Sequence, residues 1–311
     1  MVATATAKAP ARVPVPRRAV RAKARSRSKT LGGIRGRSKI SRFASFALGT
    51  IWLVFVLAPI YYMVLISFRS PNQYLSANAW LPTGGLSLSS YSSIFHATGV
   101  GTDFRDSGEL AVGTIVVVVT LSLAAGYRIV RRGSRFSAVS FRLILFGIAI
   151  PIQAIVIPLY AITNKLHIYD TLYGLVLVLS ASLIPVAVLL MVNYLRLIPR
   201  QLFDAMAVDG AGPLTTFTHL VVPMARPVLA VISIYAGLGA WNNFLLPLIL
   251  TQSNNDQVLP LGMYQFASNG EYALNVPVLM AFVMLSALPL LVLYIGLRRQ
   301  FVKGIGGFAL R

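Results

Sequence analysis

Side chains that could carry out bond-making chemistry are few in this sequence and lie far apart. The chain has no cysteine, and its three histidines, His96, His167 and His219, fall in three different predicted loops. It contains no G-x-x-x-x-G-K-S/T phosphate loop, no H-E-x-x-H zinc motif and no G-x-S-x-G nucleophile motif. We therefore expect no catalytic residue, no metal site and no cofactor. Any nucleotide hydrolysis that drives this protein is expected on a separate subunit.

One polar segment, DAMAVDGAGPLTTFTHLVVPMARP from Asp204 to Pro227, has the pattern of a structured binding element. Pro199 suits the first turn of a helix, and helical periodicity after it places Asp204 away from an apolar stripe. That stripe consists of Leu202, Phe203, Met206 and Ala207. Gly210 fits the left-handed position that follows a helix end. The pattern predicts a short amphipathic helix and a tight turn.

A second helix is predicted to begin at Pro213. Its apolar face is formed by Phe217, Leu220 and Val221. Pro223 and Pro227 are expected to end it. The apolar faces of the two helices have two possible uses: they lie against the inner ends of the protein's own bundle, or they fill a groove on a partner.

The stretches on either side of this segment are typical of a membrane protein. The 311 residues are 56% hydrophobic and 12% charged, whereas a soluble domain carries about 25% charged residues. Six apolar segments approach the roughly 20 residues that a membrane-spanning helix needs. They are Ala44–Phe68, Leu110–Tyr127, Leu143–Ile162, Leu172–Leu195, Val228–Leu250 and Val276–Leu297. Because isolated strands leave backbone groups unpaired in lipid, we expect an all-α membrane protein with six transmembrane helices.

The basic residues predict how these spans are oriented. With the N-terminus inside, 24 of the 28 Lys and Arg residues lie on the inner side and three in outer segments, while Arg142 stands at a boundary. Such an excess is characteristic of cytoplasmic loops. Both termini, and the segment between spans 4 and 5 that contains Asp204, are therefore expected in the cytoplasm of a multi-pass protein of the cell membrane.

Residues 1–43 form a basic leader, which we expect to be disordered. It carries 13 Lys and Arg residues and no acidic residue. The two interpretations are binding to nucleic acid and attraction to anionic membrane lipid. No aromatic or base-reading module accompanies the charges, so lipid is favoured and no nucleic-acid partner is expected.

Polar residues within the predicted spans point to a path or a clamp. Trp241, Asn242 and Asn243 fall inside the fifth span and either line a translocation path or join helices by hydrogen bonds. All eight acidic residues fall outside the predicted spans. That distribution argues against an ion-driven, stand-alone secondary carrier.

The segment DAMAVDGAGPLTTFTHLVVP resembles the EAA loop of ABC importer permeases, whose pattern is E-A-A-x-x-x-G, nine residues, then I-x-L-P. Asp204, Ala205 and Met206 occupy the E-A-A positions, and Gly210 occupies the glycine. Leu220 to Pro223 match I-x-L-P, and WNNFLLP is similar to the family's W-N-E/D-F segment, with Asn243 in place of the acid. With ISFRS and RRQFVKGIGGFALR, these motifs identify residues 44–311 as similar to a maltose-type second permease subunit.

This resemblance implies a type I importer permease domain over residues 44–311, in which the EAA segment is a coupling helix that contacts an ATPase. The coupling residues it implies are Asp204, Ala205, Met206, Asp209, Gly210, Ala211, Phe217 and Pro223. The loop between spans 5 and 6 would contact the binding protein. The contact residues implied there are Asn254, Asn255, Gln257 and Tyr264.

The resemblance also implies the partners of the chain. They are a second permease subunit, two ATP-binding-cassette ATPase subunits, and an extracytoplasmic binding protein that delivers a sugar. A glycerophosphodiester or a sugar phosphate is the alternative substrate.

Overall fold

The computed structural model describes residues 39–76, 78, 80–82, 85–97, 99–253, 257–268 and 275–309. Within these residues the regular elements are helices, and no strand occurs. The chain divides into two compact units, one that ends at Tyr61 and one that begins at Tyr62. Most of the predicted basic leader lies outside the described residues, but helix α1 begins at Lys39, within its predicted limits.

The helices follow one another with short connections. They are α1 (Lys39–Ser67), α2 (Pro71–Ser76), α3 (Ser89–His96), α4 (Val100–Arg132), α5 (Arg135–Ala149), α6 (Ile152–Lys165), α7 (Leu172–Leu195), α8 (Arg200–Val208), α9 (Pro213–Thr216), α10 (Val222–Trp241), α11 (Leu245–Leu250), α12 (Leu259–Ser268) and α13 (Val276–Ala309). A π-turn, Phe217–Val221, connects α9 to α10.

Helices α4, α7 and α10 form the centre of the second unit. Val118, Met191 and Ile232, one from each of these helices, are completely buried in one apolar cluster. Gly126 allows α4 to approach α7 closely, because a Cβ at this position would lie 2.5 Å from the Cγ of Met191. The 33 residues of α4 extend about 50 Å, so this helix connects two distant ends of the bundle.

Five helices among the described residues are long and apolar enough to cross a membrane. They are Phe43–Ser67, Val100–Arg131, Leu172–Leu195, Pro213–Trp241 and Val276–Gly296. A further pair, α5 and α6, passes the same test jointly but is bent by 105°. The fourth predicted span agrees with the structure at both ends, and the sixth agrees to within one residue.

The segment predicted as the third span, Leu143–Ile162, is divided between two helices. Helix α5 ends at Ala149, and Ile150 has an extended backbone with φ −89° and ψ 110°. The ring of Pro151 disfavours a helical conformation at the residue before it, so the chain turns here and α6 begins anew.

Three acidic residues lie on the helix that contains the second predicted span, outside the predicted limits of that span. Helix α4 starts at Val100, ten residues before the predicted limit, and it contains Asp103, Asp106 and Glu109. The side chains of Asp103 and Asp106 are buried. The hydropathy of one segment does not predict this burial, because Asp103 packs against Gly262, which follows much later in the chain.

Candidate functional site

Residues 200–221 form a helical hairpin at one end of the bundle, and its turn depends on Gly210. The backbone of Gly210 is left-handed, with φ of 72°. Its N–H donates to the Ala207 carbonyl at 3.1 Å, and the N–H of Ala211 donates to the Met206 carbonyl at 2.9 Å. These two bonds form a Schellman motif, which satisfies the last carbonyls of α8. The predicted left-handed glycine is confirmed.

The second half of the hairpin differs from the prediction. Pro213 occupies the first turn of α9, as expected, but Pro223 and Pro227 do not end the helix. The chain stays helical from Pro213 to Trp241, a run of 29 residues. In the π-turn, the N–H of Val222 donates to the carbonyl of Phe217, five residues back. This wider turn loosens the ladder immediately before Pro223, where a proline has no N–H to donate.

Two aromatic side chains hold the hairpin against the bundle. Phe203 is buried, and the guanidinium carbon of Arg131 lies 5.7 Å from the centre of its ring. The ring of Phe217 lies 5.3 Å from that of Tyr127, whose hydroxyl donates to the Pro213 carbonyl at 3.2 Å. Part of the predicted apolar surface is therefore used inside the protein itself.

The rest of the hairpin faces outward. Asp204, Ala205, Asp209 and Gly210 are exposed, while Met206, Ala211, Phe217 and Pro223 are half-buried. Val208 and Leu214 are apolar and are 87% and 75% exposed. Among the described residues, no basic group forms an ion pair with the Asp204 carboxylate. The hairpin thus presents exposed apolar side chains and an acid that forms no ion pair within the described residues.

The fifth predicted span is interrupted at the residues singled out as polar. Helix α10 ends at Trp241, and the short helix α11 begins only at Leu245. The indole N–H of Trp241 donates to the Ser286 carbonyl at 3.0 Å, which ties α10 to α13. The side-chain oxygen of Asn243 accepts the Leu246 N–H at 3.0 Å, at the start of α11. Trp241 therefore joins two helices, and Asn243 bonds to the first turn of α11.

Asn242 lines a cavity of about 480 Å³. We call it the aromatic cavity; it is lined by Trp241, Asn242, Phe244, Leu259, Pro260, Met263, Tyr264, Ala267, Leu279, Val283 and Ser286. The rings of Phe244 and Tyr264 meet edge to face, with centres 5.4 Å apart. Asn242 is exposed, and its amide nitrogen donates to the Leu238 carbonyl at 3.1 Å. Its side-chain oxygen is an acceptor available to a polar ligand.

The structure brings some of the predicted site residues together and separates others. Trp241, Asn242 and Tyr264 line the same cavity, whereas Asn243 and Gln257 are not among its lining residues. Asn254 and Asn255 lie outside the described residues. Tyr264 lies on helix α12, which forms one wall of the cavity.

Helix α12 is fastened to the start of α4 by residues that sequence reasoning did not select. The hydroxyl of Ser107 accepts the Leu259 N–H at 2.6 Å in a buried contact. The carboxylate of Asp103 packs on Gly262, so closely that a Cβ at position 262 would overlap it.

A second fastening, at Asp170, was also missed. Its carboxylate accepts the backbone N–H of Gln252 at 2.7 Å and that of Ser253 at 3.0 Å. Its own N–H donates to the Leu250 carbonyl at 3.0 Å. The bonds from Ser253 and Gln252 hold the pKa of Asp170 below its ordinary value. Asp170 thereby joins the loop before α7 to the chain that follows α11.

Comparison with known proteins decides the family. Residues 118–307, more than half of the chain, match the family described as the binding-protein-dependent transport system inner membrane component. The chain belongs to this family. With its several apolar helices, this permease is a multi-pass membrane protein.

Curated relatives match the permease over most of its length. It is 29% identical over 277 residues to the multiple sugar-binding transport system permease protein MsmG of Streptococcus mutans, covering 88% of this chain and 98% of the relative. It is 28% identical over 266 residues to the diacetylchitobiose uptake system permease protein NgcG of Streptomyces coelicolor, covering 85% and 88%.

Two solved structures share the fold. One is a bacterial ABC transporter involved in the import of the acidic polysaccharide alginate, with a TM-score of 0.76 and 21% identity over 86% of this chain and 99% of that one. The other is a bacterial alginate ABC transporter in complex with an alginate pentasaccharide-bound periplasmic protein. Its TM-score is 0.63 with 15% identity, and the match covers 82% of this chain and 91% of that one.

Proposed function

We propose that this permease forms half of the translocation path of a sugar importer. Its partners are a second permease subunit, two ATP-binding-cassette ATPase subunits and an extracytoplasmic sugar-binding protein. In this arrangement α5 and α6 together count as the third of six spans, and both termini are cytoplasmic. Residues 44–311 then form the permease domain, and ATP is hydrolysed on the ATPase subunits.

The hairpin of residues 200–221 is the coupling element in this proposal. Its exposed apolar side chains enter a cleft of the ATPase, and the Asp204 carboxylate pairs with a basic group there. An ion pair of this kind is available because Asp204 forms none with the described residues of its own chain. The remaining coupling residues are Ala205, Met206, Asp209, Gly210, Ala211, Phe217 and Pro223, which shape or brace the same surface.

The observation that carries this proposal is the continuous run of helical residues, including the π-turn, between hairpin and cavity. The 29 residues from Pro213 to Trp241 extend about 44 Å, and they end at the wall of the aromatic cavity. A helix resists compression and bending far more than a loop does. A displacement of the hairpin by the ATPase would therefore move Trp241 and the cavity wall with it, which links hydrolysis to access.

The lining of the aromatic cavity favours a neutral sugar over a phosphorylated substrate. Aromatic faces and amide or hydroxyl groups suit a sugar ring, and a cavity of about 480 Å³ lies within the usual range for small ligands. None of its lining residues is a lysine or an arginine. A glycerophosphodiester or sugar phosphate would bring a charge that nothing in this lining neutralises. Asn242 is the polar contact we assign to the path.

The outer chain between α11 and α13 is the proposed contact for the binding protein. It includes Asn254, Asn255 and Gln257, and Tyr264 stands where this chain meets the cavity. The fastenings at Ser107 and Asp170 give this segment a fixed base. A delivered sugar would then pass from the binding protein to Tyr264 and Phe244.

Co-purification with the ATPase tests the proposal. We expect the tagged permease to recover its ATPase subunits, and Asp204→Lys to abolish this recovery while the protein stays in the membrane. Asp204→Glu is the matched control, because it keeps the carboxylate and should retain both recovery and sugar uptake. Failure of the unmutated chain to recover any ATPase would contradict the proposal.

A further inference from the structure

Behind the coupling hairpin lies a second cavity of about 590 Å³, which we call the arginine cavity. Three arginines line it: Arg131 at the end of α4, and Arg196 and Arg200 on either side of the connection between α7 and α8. Its single acidic lining residue is Asp204. The lining therefore carries a net charge of about +2, which calls for an anionic ligand.

Two of these guanidinium groups are oriented by aromatic rings. The guanidinium carbon of Arg131 lies 5.7 Å from the ring centre of Phe203, and that of Arg196 lies 5.6 Å from the ring centre of Phe141. Among the described residues, none of the three arginines forms an ion pair with a carboxylate. Planar guanidinium groups held in this way are suited to bind phosphate oxygens through pairs of parallel hydrogen bonds.

The position of the arginines along their helices favours a membrane lipid as the source of the phosphate. Arg131 is the last residue of the candidate span Val100–Arg131, and Arg196 directly follows the candidate span Leu172–Leu195. Both arginines therefore stand at the ends of apolar helices, which is the level of the lipid headgroups when such a helix spans a membrane. A basic cavity between helix ends at this level has the character of a headgroup site.

We propose that the arginine cavity binds the phosphodiester headgroup of an anionic phospholipid in the leaflet on the hairpin side. This proposal rests on the proposed function in two respects: the side of the membrane on which the cavity lies, and the coupling role of the hairpin. The bound phosphate neutralises Arg131 and Arg200 directly behind Phe203. It thereby stabilises the position of α8, so the hairpin presents Asp204 to its partner from a fixed base.

Lipid retention by the whole importer complex tests this site. The complex is reconstituted in phosphatidylcholine vesicles with or without phosphatidylglycerol and extracted, and the retained lipid is identified by native mass spectrometry. The site variant carries R131Q, R196Q and R200Q. Its matched control carries R135Q, R142Q and R226Q; all six arginines are exposed, but these three do not line the cavity.

We expect the unmutated complex and the control to retain phosphatidylglycerol in preference to phosphatidylcholine. Each arginine removed from the cavity should weaken this retention about fivefold. Equal loss in the two triple variants, or no loss in either, would overturn the proposal. So would displacement of phosphatidylglycerol by inorganic phosphate at matched concentration, since free phosphate would then be the ligand.

A probe on the unmutated complex covers the case in which the site variant does not fold. A phosphatidylglycerol carrying a photoreactive headgroup should label peptides within residues 129–133 or 195–204, and labelling confined to other peptides would contradict the site. A further outcome would also refute the lipid proposal. It is that the site variant retains phosphatidylglycerol as the unmutated complex does, yet loses the ATPase in vesicles of pure phosphatidylcholine. The arginines would then contact a protein.

The two proposals fail separately in these experiments. ATPase co-purification is measured on the same samples as lipid retention. Selective lipid retention without any recovered ATPase would refute the proposed function and leave the headgroup site standing. Recovered ATPase with unselective lipid retention would refute the headgroup site alone.

Discussion

Gly210→Ala isolates the contribution of one backbone conformation to the hairpin. Gly210 is left-handed, and a Cβ added to it would meet no atom within 4 Å. The substitution therefore introduces no steric clash with neighbouring residues, and its whole effect comes from the strain of a left-handed alanine. That strain is about 1–2 kcal/mol. It raises the population of an opened turn by about 5- to 30-fold.

Gly212→Ala is the matched control, two residues further on. Gly212 has φ −69° and ψ 170°, an extended conformation that any residue adopts, and its added Cβ also meets no atom within 4 Å. Both variants add one methyl group to the same exposed turn. They differ in backbone strain, and that difference is the quantity under test.

Hydrogen exchange on the importer complex measures the effect. The amides of residues 210 and 211 donate to the carbonyls of Ala207 and Met206, so their exchange reports opening of the turn. In Gly210→Ala we expect exchange faster by about the same 5- to 30-fold factor, together with weaker stimulation of the ATPase by the sugar-loaded binding protein. Exchange rates that are equal in the two alanine variants would refute the role assigned to this turn.

Three further predictions concern the opposite end of the bundle. Gly262→Ala should lower the melting temperature of the complex, since its Cβ overlaps the Asp103 carboxylate, whereas Gly108→Ala, with open space, should leave the temperature unchanged or slightly raise it. Asp170→Asn should loosen the outer chain at neutral pH. The folded-state pKa of Asp170 is lowered, so its contribution to folding stability is complete above the ordinary pKa of about 3.9 and is lost as pH falls through the lower folded pKa. Thermal unfolding measured across this acidic range should show that loss in the parent and not in Asp170→Asn. Equal pH profiles for the two proteins would contradict the assignment. Tyr264→Ala should raise the KM for sugar uptake, with Tyr264→Phe close to the parent, and an unchanged KM would exclude the aromatic cavity from the path.

The hairpin was predictable because its signals are local. A left-handed glycine, a proline at a first helical turn and a 3.6-residue apolar period all act within a few residues of one another. Gly210 and the start of α9 at Pro213 accordingly match the prediction. Hydropathy predicted the span Leu172–Leu195 for the same reason, since every residue in it contributes to one local average.

Whether a proline ends a helix depends on the backbone geometry of the residues before it. Pro151 breaks its segment completely, whereas Pro223 stands in a helix that continues to Trp241. The difference lies in the π-turn before Pro223, which opens the hydrogen-bond ladder in advance. Both sites contain a proline in an apolar stretch, so composition alone does not separate them.

The candidate site near the outer chain depended on contacts between distant residues. Asn243 stands where the family it resembles has an acid, and its side-chain oxygen accepts the Leu246 N–H, a bond that a carboxylate oxygen would also accept. The bond from Leu259 to Ser107 joins residues 152 positions apart. No periodicity or spacing within a segment reports a pairing over that distance.

Composition and local pattern suffice to establish that this chain is a membrane protein with a structured hairpin between two apolar helices. Those properties depend on the solubility of each segment in lipid and on backbone preferences that act over a few residues. Only the folded structure decides which helix faces pack inside the protein and which remain exposed to a partner, because burial depends on what packs against a residue. Phe203 is thereby enclosed while Val208 is exposed, and three arginines from separate helix ends come to line one cavity.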